Sequence, residues 1–187
     1  MKKIFLLLVA ALFLTCLCGC TIYVKTDTAA SLTNTEGDGE IERQTETLVG
    51  DIVPEFQMLN LDSNMVDLRK TKGPYLLFIT QIKCPTCEKV LPLIENLKGD
   101  GENIISIYRK DSKREILETY EKYELNPDLS TILSGIEDPE RNTVIEDFDL
   151  TSVPTLLFVD ESNIVQWIHQ GDVTNAELRD MASQYMH

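Results

Sequence analysis

The chain is poor in the residues that hold metals: its 187 residues include 2 histidines and 5 cysteines. Structural zinc takes four Cys or His ligands. Outside the first twenty residues only Cys84, Cys87, His169 and the terminal His187 could volunteer, so no zinc site is expected. The chain also lacks a long apolar run. Its longest, the eleven residues Ile4 to Leu14, falls well short of the roughly 20 that a membrane-spanning helix needs. Positive charge is scarce as well, with 17 Lys and Arg against 31 Asp and Glu and a formal net charge of −14. Nucleic acid and anionic lipid faces are repelled by such a surface, whereas basic protein clients are attracted and solubility is served. No internal repeat is visible, which excludes a solenoid.

What is present begins with an address. Lys2 and Lys3 stand before the short apolar run, the pattern of an export signal and not of an anchor helix. The run leads into Leu17-Cys18-Gly19-Cys20, which resembles the bacterial lipobox. On that resemblance residues 1–19 are removed and Cys20 carries a diacylglycerol, tying the chain to a bacterial membrane on its extracytoplasmic side; an ordinary secretory signal is the alternative. Loss of Lys2 and Lys3 leaves 15 basic residues against the same 31 acidic ones. Residues 20–50 are rich in Thr, Glu, Asp and Gly with no apolar period, and are expected to form a flexible tether spanning about 30 Å as a coil. Residues 51–187 then suffice for one domain.

Hydrophobic patterning predicts the elements of that domain. Two short alternating runs in residues 54–68 flank Asp62-Ser63-Asn64 and predict a hairpin. Residues 75–80, YLLFIT, read as a strand covered on both faces. Val90, Leu91, Ile94 and Leu97 recur at helical spacing up to Gly99, with Pro92 interrupting. A second buried strand covers 103–108, and a capping box at Ser112 to Glu115 opens a helix to about Tyr123. Residues 128–133, DLSTIL, predict a further strand, and 139–148 a short helix. Residues 155–160 and 164–169 flank Glu161-Ser162-Asn163 as a hairpin, and Thr174 to Glu177 caps a last helix to about Tyr185. The order implies an α/β class: one sheet with a parallel centre and an antiparallel edge, with helices on both faces.

Cys84-Pro85-Thr86-Cys87 opens the first of those helices. Glu88 follows, so the C-x-x-C-H haem pattern is absent. A copper carrier could use two thiols and one histidine. A structural bridge is also open, although closing so short a loop constrains the unfolded chain little. An exported chain meets an oxidising compartment, where such a pair can exist as a disulfide. The redox reading uses more of the pattern. At a helix N-terminus unpaired N–H groups favour an anion by roughly 0.3 to 2 kcal/mol, and Lys83 adds positive charge. Cys84 is then the nucleophile and Cys87, one turn inside, resolves the mixed disulfide. Pro85 and Thr86 tune the pair through backbone geometry.

A strand running into C-x-x-C at a helix start, Pro92 five residues after Cys87, the SVPT loop at 152–155 heading a strand, and the closing hairpin and helix together resemble the thioredoxin superfamily. The hairpin at 54–68 and the extra segment in 109–150 resemble its TlpA/ResA branch. The resemblance implies a thioredoxin-like fold: a central mixed β-sheet flanked by helices, with an N-terminal β-hairpin and an inserted helix/strand segment. It implies that Val153-Pro154 is a cis bond where client peptides pair, that the Cys84-Cys87 disulfide is the redox group with no other cofactor, and that a membrane thiol carrier of the CcdA or DsbD kind donates electrons. The implied activity is reduction or isomerisation of disulfides in exported proteins, with cytochrome c maturation as one type; a disulfide-forming oxidase or a non-catalytic binding lipoprotein are the other outcomes of the same scaffold. Two departures stand out. Lys83 replaces the usual Trp, and the positions where relatives place a buried carboxyl are Phe78 and Val90, leaving no evident proton acceptor for Cys87 except the neighbouring Glu88. Peroxiredoxins share the fold but place a threonine three residues before the peroxidatic cysteine, whereas Thr80 lies four before Cys84.

Overall fold

The computed structural model describes residues 48–135, 148, 150 and 152–187. Cys20, the signal and nearly all of the expected tether lie outside these residues, as does most of the helix expected at 139–148. No helix among the described residues is long and apolar enough to cross a membrane.

The chain enters as β1 (Gln57–Leu59) and β2 (Met65–Asp67), an antiparallel pair with Met58 opposite Val66. Asn60 shapes their turn by accepting the N–H groups of Asp62 (3.0 Å) and Asn64 (2.8 Å) through Oδ1, while Ser63 takes a left-handed φ of 64°. This is the turn chemistry that Asn side chains offer in place of a ladder. The Gly73–Pro74 bond that follows is cis. An added Cβ on Gly73 would lie 2.6 Å from the Asp160 carbonyl oxygen, so only glycine fits there.

The central sheet runs β5-β4-β3-β6-β7. Strand β3 (Tyr75–Thr80) is buried at all six positions, as its unbroken apolar run requires. After it come α1 (Pro85–Gly99), β4 (Ile104–Tyr108), α2 (Lys113–Lys122), β5 (Ile132–Ser134), β6 (Thr155–Val159), β7 (Val165–Gln170) and α3 (Asn175–Tyr185). Strands β3, β4 and β5 are parallel, joined by crossovers, while β6 and β7 run antiparallel. The antiparallel part therefore begins beside the central strand and makes up half the sheet, where the sequence suggested an edge. The capping boxes expected at Ser112–Glu115 and Thr174–Glu177 are both formed.

The DLSTIL stretch differs from expectation. Asp128 accepts the Ser130 N–H at 3.1 Å and draws Leu129–Thr131 into a 3-10 turn, leaving the strand only Ile132–Ser134. A short acidic side chain competing for nearby N–H groups shortens the ladder.

The pleat divides the core. Leu76, Phe78, Ile104, Leu156 and Phe158 face α1, α2 and α3, all three on one side of the sheet. Tyr75, Leu77, Ile79, Ile105, Ile107 and Leu157 point the other way, against Val53, Phe56, Met58 and Phe148. Phe148, the one described residue of the segment 139–148, meets Phe56 edge-on at 5.8 Å. Upstream of β1 the chain clasps the start of β7. Gly50 N–H donates to Val165 O (2.8 Å), Val165 N–H to Asp51 O (2.9 Å) and Val53 N–H to Asn163 O (2.8 Å).

Candidate active site

Strand β3 ends at Thr80, and three residues later the chain must turn into α1. Lys83 makes the turn with φ 61°, and Cys84, extended at φ −111° and ψ 110°, is the N-cap residue of α1. Pro85 occupies the first turn, where its missing N–H costs nothing. The side chain that normally caps a helix is an oxygen; here Cys84 Sγ accepts the Cys87 N–H at 3.2 Å. The Glu88 N–H donates to Cys84 O at 3.0 Å, the first helical bond. Pro92 lies inside α1 and leaves the Glu88 carbonyl without its helical donor.

Cys84 and Cys87 form a disulfide, their Cα atoms 5.2 Å apart, within the usual range. The two sulfurs are not equivalent. Cys87 is only 2% exposed, whereas Cys84 is half-buried and open to a partner. Cys84 Sγ is 3.9 Å from the Val153 carbonyl oxygen. The Val153–Pro154 bond is cis, Pro154 is buried, and its carbonyl accepts the Gly171 N–H at 2.9 Å. The structure thus gathers Lys83, Cys84, Pro85, Thr86 and Cys87 at the start of α1 and sets Val153, in the loop before β6, against Cys84, with the cis-bonded Pro154 next along the chain.

The acids around the pair divide into two kinds. Glu88 Oε2 accepts from Lys122 Nζ (2.8 Å) and from the Tyr123 hydroxyl (2.5 Å). The Lys122 ammonium, then the Tyr123 hydroxyl, hold its carboxyl below the usual range. A carboxylate so engaged is a poor proton acceptor for Cys87. Asp111 and Glu95 are the opposite case, both raised by burial. Asp111 Oδ2 accepts the Ile82 N–H at 2.9 Å and so pins the loop before Lys83. Glu95, two turns beyond Cys87 on α1, accepts the Tyr120 hydroxyl at 2.7 Å. Phe78 and Val90 are fully buried among apolar side chains. Sequence reasoning missed Asp111 and Glu95, because each acquires its role from a partner 25 or more residues away. Behind Cys87 lies a cavity of about 10 Å³, lined by Thr80, Ile82, Glu88, Tyr108 and Thr119 among others, about the room one water needs.

His169 is engaged elsewhere: its Nε2 is 2.7 Å from the Asp172 carbonyl oxygen and its ring stacks on Trp167. No group of three or more His, Cys, Asp or Glu side chains gathers as a metal site among the described residues.

A strand delivering one cysteine to a helix cap, a second cysteine covered one turn inside, and a cis-proline loop beside the first are features of the thioredoxin fold, and with the N-terminal hairpin and the inserted segment they mark the TlpA/ResA-like thiol-disulfide oxidoreductases. The AhpC/TSA family model matches residues 49–168, and the chain belongs to that family. It is 24% identical over 144 residues to the thiol:disulfide interchange protein DsbE of Escherichia coli K12, covering 75% of this chain and 74% of that protein. The fold is similar to MTB dsbF, solved in mixed oxidized and reduced forms, with TM-score 0.60, 20% identity, and 71% of this chain and 96% of that one covered. It is also similar to Etrx1, an exposed lipoprotein thioredoxin of Streptococcus pneumoniae, with TM-score 0.53, 18% identity, and 70% and 98% covered.

Proposed function

We propose that this chain is a lipid-anchored, extracytoplasmic thiol-disulfide oxidoreductase that reduces or isomerises disulfides in exported proteins. The observation that carries the reading is the asymmetry of the pair: an open Cys84 sulfur fed by a helix N–H beside the Val153 carbonyl, and a covered Cys87 behind it. In the reductive direction the Cys84 thiolate attacks one sulfur of a client disulfide. The client S–S bond breaks, its first thiolate leaves and takes a proton from solvent, and a mixed disulfide remains. Cys87, deprotonated, then attacks Cys84 Sγ, expels the second client thiolate and closes the internal disulfide, so two electrons pass from the dithiol to the client. An extended client segment pairs with the backbone at Val153 as an added strand. No cofactor beyond the dithiol takes part. A membrane thiol carrier of the CcdA or DsbD kind restores the reduced form, and cytochrome c maturation is one setting for such traffic. The DsbE relative supports interchange chemistry, and the Leu17-to-Cys20 motif supports attachment through Cys20.

The test is turnover of a disulfide peptide by the chain with a small dithiol supplied as the electron source. Activity that disappears in Cys84→Ser supports the reading. Tight stoichiometric Cu(I) uptake without turnover sinks it in favour of a carrier, and an equilibrium potential near −120 mV against glutathione, in place of one near −270 mV, sinks reduction in favour of oxidation. A Cys20→Ser chain found in the soluble fraction supports the anchor; one that stays with the membrane removes it.

A further inference from the structure

The segment after β4 touches the dithiol loop at three points. Asp111 holds the Ile82 N–H at 2.9 Å. Glu115 Oε1, in the first turn of α2, stands 3.9 Å from Lys83 Nζ. At the far end of α2, Lys122 Nζ reaches Glu88 Oε2 at 2.8 Å; the Tyr123 hydroxyl shares that oxygen, and Lys122 lies over the Tyr123 ring at 4.6 Å. The two charged residues flanking Cys84 and Cys87 are thus each matched from the same helix by a residue of opposite sign. On the other flank Lys89 is matched by Asp172 at 3.8 Å, with His169 on the Asp172 carbonyl.

Matched charges matter here because their effects on a Cys84 thiolate oppose each other. Glu88 sits in the first turn of α1 and lines the cavity behind Cys87; unmatched, its charge repels a thiolate. Lys83 precedes Cys84; unmatched, its charge attracts one. We propose that α2 is an electrostatic brace that cancels both and thereby sets the ionisation of Cys84. Lys122 and Glu115 are positioning residues that act through Glu88 and Lys83 and touch no substrate. The inference rests on Cys84 being the nucleophile of the proposed function, and it gives the inserted helix a task in that chemistry.

The brace makes a prediction that mere scaffolding does not: removing its two ends moves Cys84 in opposite directions. The experiment uses the full chain with Cys16, Cys18 and Cys20 changed to Ser, reduced, with the pH midpoint of Cys84 alkylation read by mass spectrometry. Lys122→Met keeps the apolar stem and takes the ammonium from Glu88, leaving the uncharged Tyr123 hydroxyl on it, so the midpoint rises and the thiolate fraction at pH 7 falls roughly two- to fivefold, the range of a partly exposed ion pair. Glu115→Gln keeps the capping box, which accepts Gln at that position, and releases Lys83. The midpoint then falls, and the thiolate fraction rises by up to about twofold, since Lys83 is largely solvated. The double variant returns toward the parent, and both displacements shrink in high salt. Midpoints that move the same way, as loosening of α2 would produce, overturn the proposal, and so do midpoints that stay at the parental value. The proposed function fails separately, by absence of disulfide turnover in the parent chain, whereas the brace is judged only on the difference between variants.

Discussion

Reduction of the Cys84–Cys87 bond frees a thiol at the cap of α1, and the pH midpoint of its alkylation tests the site directly. As a thiolate, Cys84 keeps the Cys87 N–H that its sulfur accepts at 3.2 Å and faces the positive end of a 15-residue helix. Together these stabilise the anion by roughly 0.3 to 2 kcal/mol. At 1.36 kcal/mol per tenfold, the midpoint falls about 0.2 to 1.5 pH below the ordinary 8.5 of cysteine. The thiolate fraction at pH 7 then climbs from about 3% to between about 5% and about 50%. Each thiolate becomes a weaker nucleophile as it becomes more acidic, with a Brønsted slope of about 0.4–0.5, so a gain of about 16-fold in population shrinks to about three- to fourfold in rate. A rate at one pH is therefore a weak discriminator, and the midpoint a strong one. The assay is iodoacetamide modification from about pH 5 to about pH 10, which spans both limits, on the reduced full chain with Cys16, Cys18 and Cys20 replaced by Ser. A midpoint at about 8.5 or higher refutes the reasoning. The same arithmetic limits what ionisation does to the redox balance: at pH 7 the largest shift is worth about 0.4 kcal/mol, or about 9 mV. The direction of electron flow must then come mainly from how the fold weighs the covered Cys87 thiol against the disulfide.

Other consequences can be checked beside it. Cys87→Ser should accumulate a mixed disulfide between Cys84 and a client peptide, visible by non-reducing mass spectrometry; product release at the parental rate contradicts the resolving role. Asp111→Ala leaves the Ile82 N–H without its acceptor and should cost about 1 kcal/mol in urea unfolding. Asp111→Asn keeps an acceptor and shows a pH signature instead. Burial raises the Asp111 carboxyl above 3.8, so its contribution to stability is fully present below that value and lost as pH rises through the raised one. The Asn variant should therefore gain on the parent from acid to neutral pH, and a constant difference speaks against the burial. Gly73→Ala drives a Cβ against the Asp160 backbone and should lower stability by about 1 to 3 kcal/mol while leaving the Cys84 midpoint in place; an unchanged melting temperature would show that the contact is slack.

Local chemistry was readable in the sequence wherever it is settled within a few residues. The apolar run 75–80, the serine and threonine caps, and the cysteine that opens α1 each specify their own structure through short-range bonds. The hairpin turns at Asn60 and Asp160 belong here too; Asp160 Oδ1 accepts the Ser162 and Ile164 N–H groups at 2.8 and 2.9 Å. At the candidate site the helix start at Cys84-Pro85-Thr86-Cys87 was legible in the same way, whereas the cis Val153–Pro154 bond, 69 residues from Cys84, was expected only from the resemblance to the thioredoxin superfamily. What escaped is set by distance along the chain. Glu88 read equally as a proton acceptor or a helix-end charge, and its real partners, Lys122 and Tyr123, lie 34 and 35 residues on. Asp111 has no local signal, because its role comes from the Ile82 N–H 29 residues earlier. The turn at Leu129–Thr131 escaped for a different reason, since β-prone Thr131 and Ile132 masked the capping power of Asp128.

The clasp of Gly50, Asp51 and Val53 onto the start of β7 has a mechanical meaning. Val165 pairs with Val159, which pairs with Tyr75, while the dithiol follows the opposite end of β3 beside Thr155. Five residues of strand, about 17 Å, separate those ends. A load applied at Gly50 to Val53 is thus delivered to the end of the sheet that lies away from Cys84 and Cys87, and β3 and β6 stand between the two.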